Sequence, residues 1–178
     1  HESYIISVFR NTSTPGNINI NSLAERVNFN WSSSPDLIDL KDMDGDGKLD
    51  VVVTDYNGVA VILNDCSPGI INANSFTIST SINGLLYPDD NKAYGFNIGG
   101  GNSAMVIEDF DGDRKLDLAL RRFVNGQELI SVFKNTFVAG EVNENSFDPA
   151  VNFPLSDDLY DGFLKAGDYD GDGKVDLA

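Results

Sequence analysis

This chain is short of basic residues, cysteine, histidine and long apolar runs. Among its 178 residues, Lys and Arg number 12 against 28 Asp and Glu, a net charge of −16 at pH 7. Nucleic acid and anionic lipid both reward a basic face, so neither is expected as a partner. The single cysteine, Cys66, excludes a disulfide within the chain. The single histidine is His1, so no interior imidazole is on hand for zinc or for acid–base catalysis. The longest apolar runs are Val51–Val53 and Val59–Leu63, far below the roughly 20 residues of a membrane-spanning helix. No insertion into a membrane is expected. The opening His1-Glu2-Ser3 lacks the basic and then apolar pattern of a secretory leader, and the expectation is a mature or excised segment. Helical periodicity is absent.

What is present is a folding composition, 41% hydrophobic and 10% aromatic, and a nine-residue loop that occurs three times. Its copies run from Asp42 to Asp50, from Asp109 to Asp117 and from Asp168 to Asp176. Aspartates stand at positions 1, 3, 5 and 9: Asp42, Asp44, Asp46 and Asp50; Asp109, Asp111, Asp113 and Asp117; Asp168, Asp170, Asp172 and Asp176. Alternate short carboxylates on a tightly turning backbone converge on one point, and glycines such as Gly45 and Gly47 ease the turn by accepting φ > 0. The backbone carbonyls of Lys48, Lys115 and Lys174, at position 7, are expected further ligands. An all-oxygen set without His or Cys disfavours zinc and copper, and magnesium prefers to keep its waters, so Ca2+ is the expected ion, up to three in all. Position 12 is Val53 or Leu120 rather than a bidentate Glu, so these are not EF-hands. Four close carboxylates repel one another. The ion is therefore expected to be structural, and no nucleophile or base stands nearby.

The loops belong to a longer repeat, with Asp44, Asp111 and Asp170 spaced 67 and then 59 residues apart. Ile6–Asn11 matches Ile130–Asn135, and Val61–Asp65 matches more loosely. Asn21-Ser22-Leu23, Asn74-Ser75-Phe76 and Asn145-Ser146-Phe147 recur, as do Val27-Asn28-Phe29 and Val151-Asn152-Phe153. Each repeat reads as four strands: A enters the Asp loop, B leaves it, C follows a hairpin, and D comes after a Gly-containing loop. Leu49, Val51 and Val53 share one face by period two, and Val52 is apolar on the other, the pattern of a strand covered on both sides. Asn57-Gly58 and Asn125-Gly126 mark the B–C hairpins. Four-stranded units repeated in series predict an all-β chain of β-propeller blades; a β-sandwich is the alternative. The blocks are 1–30 (partial blade), 36–81 (blade), 103–154 (blade, after a long D–A loop at 80–103) and 161–178 (partial blade). Two full blades with a half blade at each end make an incomplete ring. The rest of its own propeller is an expected partner, supplied by a longer protein or by further chains.

The three Asp-x-Asp-Gly-Asp loops, the Leu/Val-Asp-Leu/Val strand after each, and the Ile-Ser-Val-Phe-Arg/Lys-Asn strand together resemble the FG-GAP and VCBS repeats of calcium-binding β-propellers. These repeats are found in integrin α-subunits and in bacterial surface and secreted proteins. The resemblance covers nearly the whole chain. It departs at Arg114, which stands where the other copies have Gly47 and Gly173. If that position is left-handed, the second loop is strained, and it is expected to be the weakest site.

The resemblance implies an extracellular or cell-surface address and an adhesion role for a non-catalytic module whose ligand is a glycan or a protein. It places ligand-binding loops, D–A and B–C, on the face opposite the ions. Trp31, Tyr87, Tyr94 and Tyr160 are the candidate contacts there, with blade-end core as the alternative. A polysaccharide lyase or dehydratase, using pairs such as Asp89-Asp90 or Asp157-Asp158, and a plain spacer are the other readings. Arg121-Arg122 reads as a solvated hairpin tip. Asn11-Thr12-Ser13 and Asn30-Trp31-Ser32 match the N-glycosylation pattern, while the repeat style looks bacterial.

Overall fold

The computed structural model describes residues 4–31, 34–55, 58–77, 94–96, 102–138, 146–155 and 163–178. Among them are thirteen strands and no helix, as the missing 3.6 period predicts. β1 (Tyr4–Val8) pairs with β2 (Val27–Trp31). The second sheet runs β3 (Pro35–Lys41), β4 (Asp50–Asp55), β5 (Gly58–Asn64), with β6 (Phe76–Thr77) and β7 (Tyr94–Phe96) both on the outer edge of β5. The third runs β8 (Asn102–Glu108), β9 (Asp117–Val124), β10 (Gln127–Phe133), β11 (Val151–Pro154). β12 (Ala166–Gly167) pairs with β13 (Asp176–Leu177). Every pairing is antiparallel. Among the described residues the four sheets form no closed ring.

The sheets pack face to face because their inner strands are apolar on both sides. Val51 and Val53 of β4, with Ala60 and Ile62 of β5, meet Ile6, Phe29 and Trp31 of the first sheet. Val52, Val59 and Val61 point the other way, against Ile107, Leu118, Leu120 and Phe133 of the third sheet. Ala104 and Ala119 in turn meet Leu164 and Leu177 beside the last pair. Val52, Val53, Leu118 and Leu120 are all fully buried, as period-two alternation with grease on both faces requires.

The Asn125-Gly126 hairpin forms as expected, with φ of 51° and 83° at its two turn residues. Three sequence expectations change. First, the loose match of Val61–Asp65 extends upstream, so that Val59–Asn64 is the structural counterpart of Ile130–Asn135: Asn135 N–H donates to Asp117 as Asn64 N–H donates to Asp50. Second, the long insertion does not separate strands D and A. β7 pairs Tyr94 with Val61 and Phe96 with Val59, as β11 pairs Val151 with Val132 and Phe153 with Ile130. Tyr94-Gly95-Phe96 is thus the missing third copy of Val-Asn-Phe. Phe76 and Tyr94 stand 18 positions apart where Phe147 and Val151 stand 4 apart, and both β6 and β7 pair with β5. Third, Arg121-Arg122 is not a solvated tip. Arg121 is buried and pairs with Glu128 at 2.5 Å. Arg122 donates to the Ser131 hydroxyl at 2.7 Å and lies over the Phe133 ring.

Candidate metal centres

The three Asp loops repeat one hydrogen-bond circuit. The position 1 carboxylate accepts two backbone N–H groups from positions 4 and 6: Asp42 from Gly45 and Gly47, Asp109 from Gly112 and Arg114, Asp168 from Gly171 and Gly173, all at 2.7–2.9 Å. Position 3 accepts from the N–H of position 5. Position 5 accepts from the N–H of position 7. Position 9 accepts the N–H of position 2. These bonds fold the loop back on itself and orient its carboxylates toward one another.

Positions 1, 3 and 9 converge. Asp42, Asp44 and Asp50, then Asp109, Asp111 and Asp117, then Asp168, Asp170 and Asp176 each bring carboxylate oxygens within 4.8 Å of one another. An oxygen accepting one N–H retains a lone pair for a cation, so the donor set fits a hard divalent ion. Asp46, Asp113 and Asp172 stand outside these groups, each with one oxygen on an ammonium: Lys48 at 2.6 Å, Lys134 at 3.0 Å and Lys174 at 2.9 Å respectively. Position 9 opens strand B and is buried in the first two loops. Burial pushes the Asp50 carboxyl up to about 6, against the pull of two backbone N–H groups, with the Asp44 and Asp46 charges adding to the rise. Asp117 moves the same way for the same leading reason. A bound cation would favour the charged form of both.

The loops also lie at the seams between sheets. Met43, at position 2 of the first loop, is buried in the core against the third sheet. Phe110, at the same place in the second loop, packs toward the fourth sheet. Asn135 joins two loops. Its side-chain amide donates to the carbonyls of Met43 at 3.1 Å and Leu116 at 2.9 Å, its Oδ1 accepts Phe137 N–H at 2.8 Å, and it has 0% exposure. Asn64 makes the matching bonds to Leu49 O and Cys66 N–H, and Asn11 the one to Ser13 N–H. All three asparagines stand in the matched segments Ile6–Asn11, Val61–Asp65 and Ile130–Asn135, but local sequence carries no sign of the distant carbonyls that Asn135 reaches.

Arg114 has φ of 72°, in the same left-handed region as its counterparts Gly47 (87°) and Gly173 (84°). The strain expected from the sequence is therefore present. A left-handed backbone costs a residue with a Cβ about 1–2 kcal/mol, so Arg114→Gly is expected to raise stability by about 1 kcal/mol after the added freedom of the unfolded chain. Denaturant unfolding in chelator measures it; a loss of stability would show that Arg114 makes contacts worth more than the strain.

The proposed ligand face fares differently. Trp31 is 5% exposed at the end of β2, and its indole N–H donates to Asp55 at 3.1 Å, so it is core and not a surface contact. Tyr94 is in β7, on the edge of β5, and not in a D–A loop. Tyr87, Tyr160, Asp89, Asp90, Asp157 and Asp158 lie outside the described residues.

No curated protein and no solved structure matches the chain. A family model described as FG-GAP-like repeat matches residues 42–120, from the first aspartate of loop one, through the second sheet and loop two, into β9. Over residues 42–120, then, the chain is similar to an FG-GAP-like repeat, consistent with the resemblance carried by its Asp loops.

Proposed function

We propose that this chain is a calcium-stabilised, non-catalytic binding and adhesion module of a secreted or cell-surface protein, arranged as β-propeller blades. The carrying observation is the threefold recurrence of one carboxylate cluster, the first two copies of which fall within the matched FG-GAP-like repeat. In this reading the Asp residues at positions 1, 3, 5 and 9, with the carbonyls of Lys48, Lys115 and Lys174, hold one Ca2+ per loop. Position 5 turns inward when the ion replaces its lysine. The ion neutralises carboxylates at a seam between sheets, so it acts on packing and not on a substrate. Every cluster carboxylate is engaged by backbone N–H groups, which suits a rigid ligand set better than a proton shuttle.

The propeller arrangement is supported by four sheets stacked through three apolar interfaces. An open groove of about 1060 Å³ is lined by Ile6 and Val8 of β1, Ile38 and Leu40 of β3, and Leu49. With Trp31 in the core, the ligand, a glycan or a protein, is assigned to the loops opposite the ions.

Screening the full-length protein on glycan and extracellular-protein arrays tests the proposal, with about 1 mM calcium, in the range of extracellular sites, and then with chelator. Specific binding that is lost together with the fold in chelator is expected. Depolymerisation of any polysaccharide would overturn the non-catalytic reading.

A further inference from the structure

The three loops differ in where an ammonium group sits. In loops one and three the lysine of position 7 folds onto position 5: Lys48 on Asp46, Lys174 on Asp172. Among the described residues no ammonium reaches Asp44 or Asp170, the position 3 carboxylates of those clusters. Loop two is built otherwise. Lys115 turns away and donates to the carbonyl of Phe137 at 2.9 Å. Lys134, from the end of β10, enters instead and bonds both Asp111 and Asp113. Asp111 belongs to the cluster that would take the ion.

We infer that Lys134 is a tethered cation that competes with the divalent ion at loop two. The inference rests on the calcium reading proposed above and adds to it a ranking of the sites with its cause. A divalent ion seated among Asp109, Asp111 and Asp117 must displace the ammonium from Asp111 or bind beside it, against like-charge repulsion over a few ångströms. The bond that is given up is an exposed one, with Lys134 44% and Asp111 39% accessible, and such pairs are individually modest. Two of them together with the repulsion correspond to a weakening of about tenfold. The same tether compensates part of the carboxylate repulsion when no ion is bound, so loop two keeps its form at low calcium while loops one and three depend on the ion. The chain would thus carry two dependent sites and one self-compensated site.

The register supplies the control. Leu63 occupies the place of Lys134 in the second sheet, one residue before Asn64 as Lys134 is one before Asn135. Calcium titration by calorimetry on the wild type, Lys134→Leu and Leu63→Lys is the experiment, with melting in chelator recorded for each. In the wild type one weaker site is expected beside two tighter ones. Lys134→Leu should tighten the weak site about tenfold and lower the melting temperature in chelator, while Leu63→Lys should weaken a different site. Lys134→Arg, which keeps the charge, should leave the weak site weak. Three sites that titrate with affinities unmoved by Lys134→Leu would overturn the competition. No calcium heat in any variant would overturn the calcium reading first, and the competition with it.

Discussion

Calcium removal is expected to lower the melting temperature of this chain by about 10–20 °C. An ion that binds the folded state alone stabilises it by about 2.7 kcal/mol per site when its free concentration is a hundred times Kd. Two tight loops then contribute about 5 kcal/mol, and a chain of this size shifts by about 2–4 °C per kcal/mol. The physical source is on view in each loop. Three carboxylates are held within 4.8 Å by backbone N–H groups, and position 9 is buried in two of the three. Without an ion, that arrangement sets charge against charge in a partly desolvated place. Differential scanning calorimetry with calcium and with excess chelator is the measurement. Superimposable curves would refute a structural calcium role, whatever the chain binds elsewhere.

The second large effect is expected at Asn135. Asn135→Ala should destabilise the fold by about 3–5 kcal/mol, since it strands the Met43 and Leu116 carbonyls and the Phe137 N–H in a place closed to water. Its counterpart Asn64 is only half-buried and bonds Leu49 and Cys66 within its own sheet. Asn64→Ala should cost about 1–2 kcal/mol, because water can reach the groups it leaves. The contrast is the informative part. Asn135 reaches back across the seam to Met43, in the first Asp loop, whereas the bonds of Asn64 stay local. Chemical denaturation of both variants, in calcium and in chelator, reads the difference. Equal losses in the two would mean that the bond across the seam adds nothing. Asn135→Ala should also blunt the calcium response of loop one, because Met43 precedes Asp44 directly.

Much of this was legible beforehand. The Asp loops, the strands after them and the Asn-Gly hairpin announce themselves through local chemistry: carboxylate spacing, period-two grease and φ > 0 residues. Arg114 is the clearest case. A single departure from glycine located a left-handed residue that the structure then showed at 72°. The expectations that failed were those depending on partners distant in sequence. The long segment after Phe76 looked like a D–A loop because nothing local reveals that Tyr94-Gly95-Phe96 pairs with β5. Arg121 and Arg122 looked like a tip because charge usually seeks water. Glu128, Ser131 and Phe133 across the hairpin and on its far strand provide buried or half-buried partners instead. Trp31 looked like a ligand contact until Asp55 was seen to satisfy its N–H inside the core.

The sequence by itself determined the all-β character, the strand order within each repeat and the carboxylate loops, because each depends on residues within a few positions of one another. Tertiary structure decided which strand completes the second sheet, which asparagine ties two loops together, and which lysine stands at the second cluster. Those outcomes depend on pairing across 15 to 92 positions of chain, where register is set by the packing of whole sheets and no short segment carries the information.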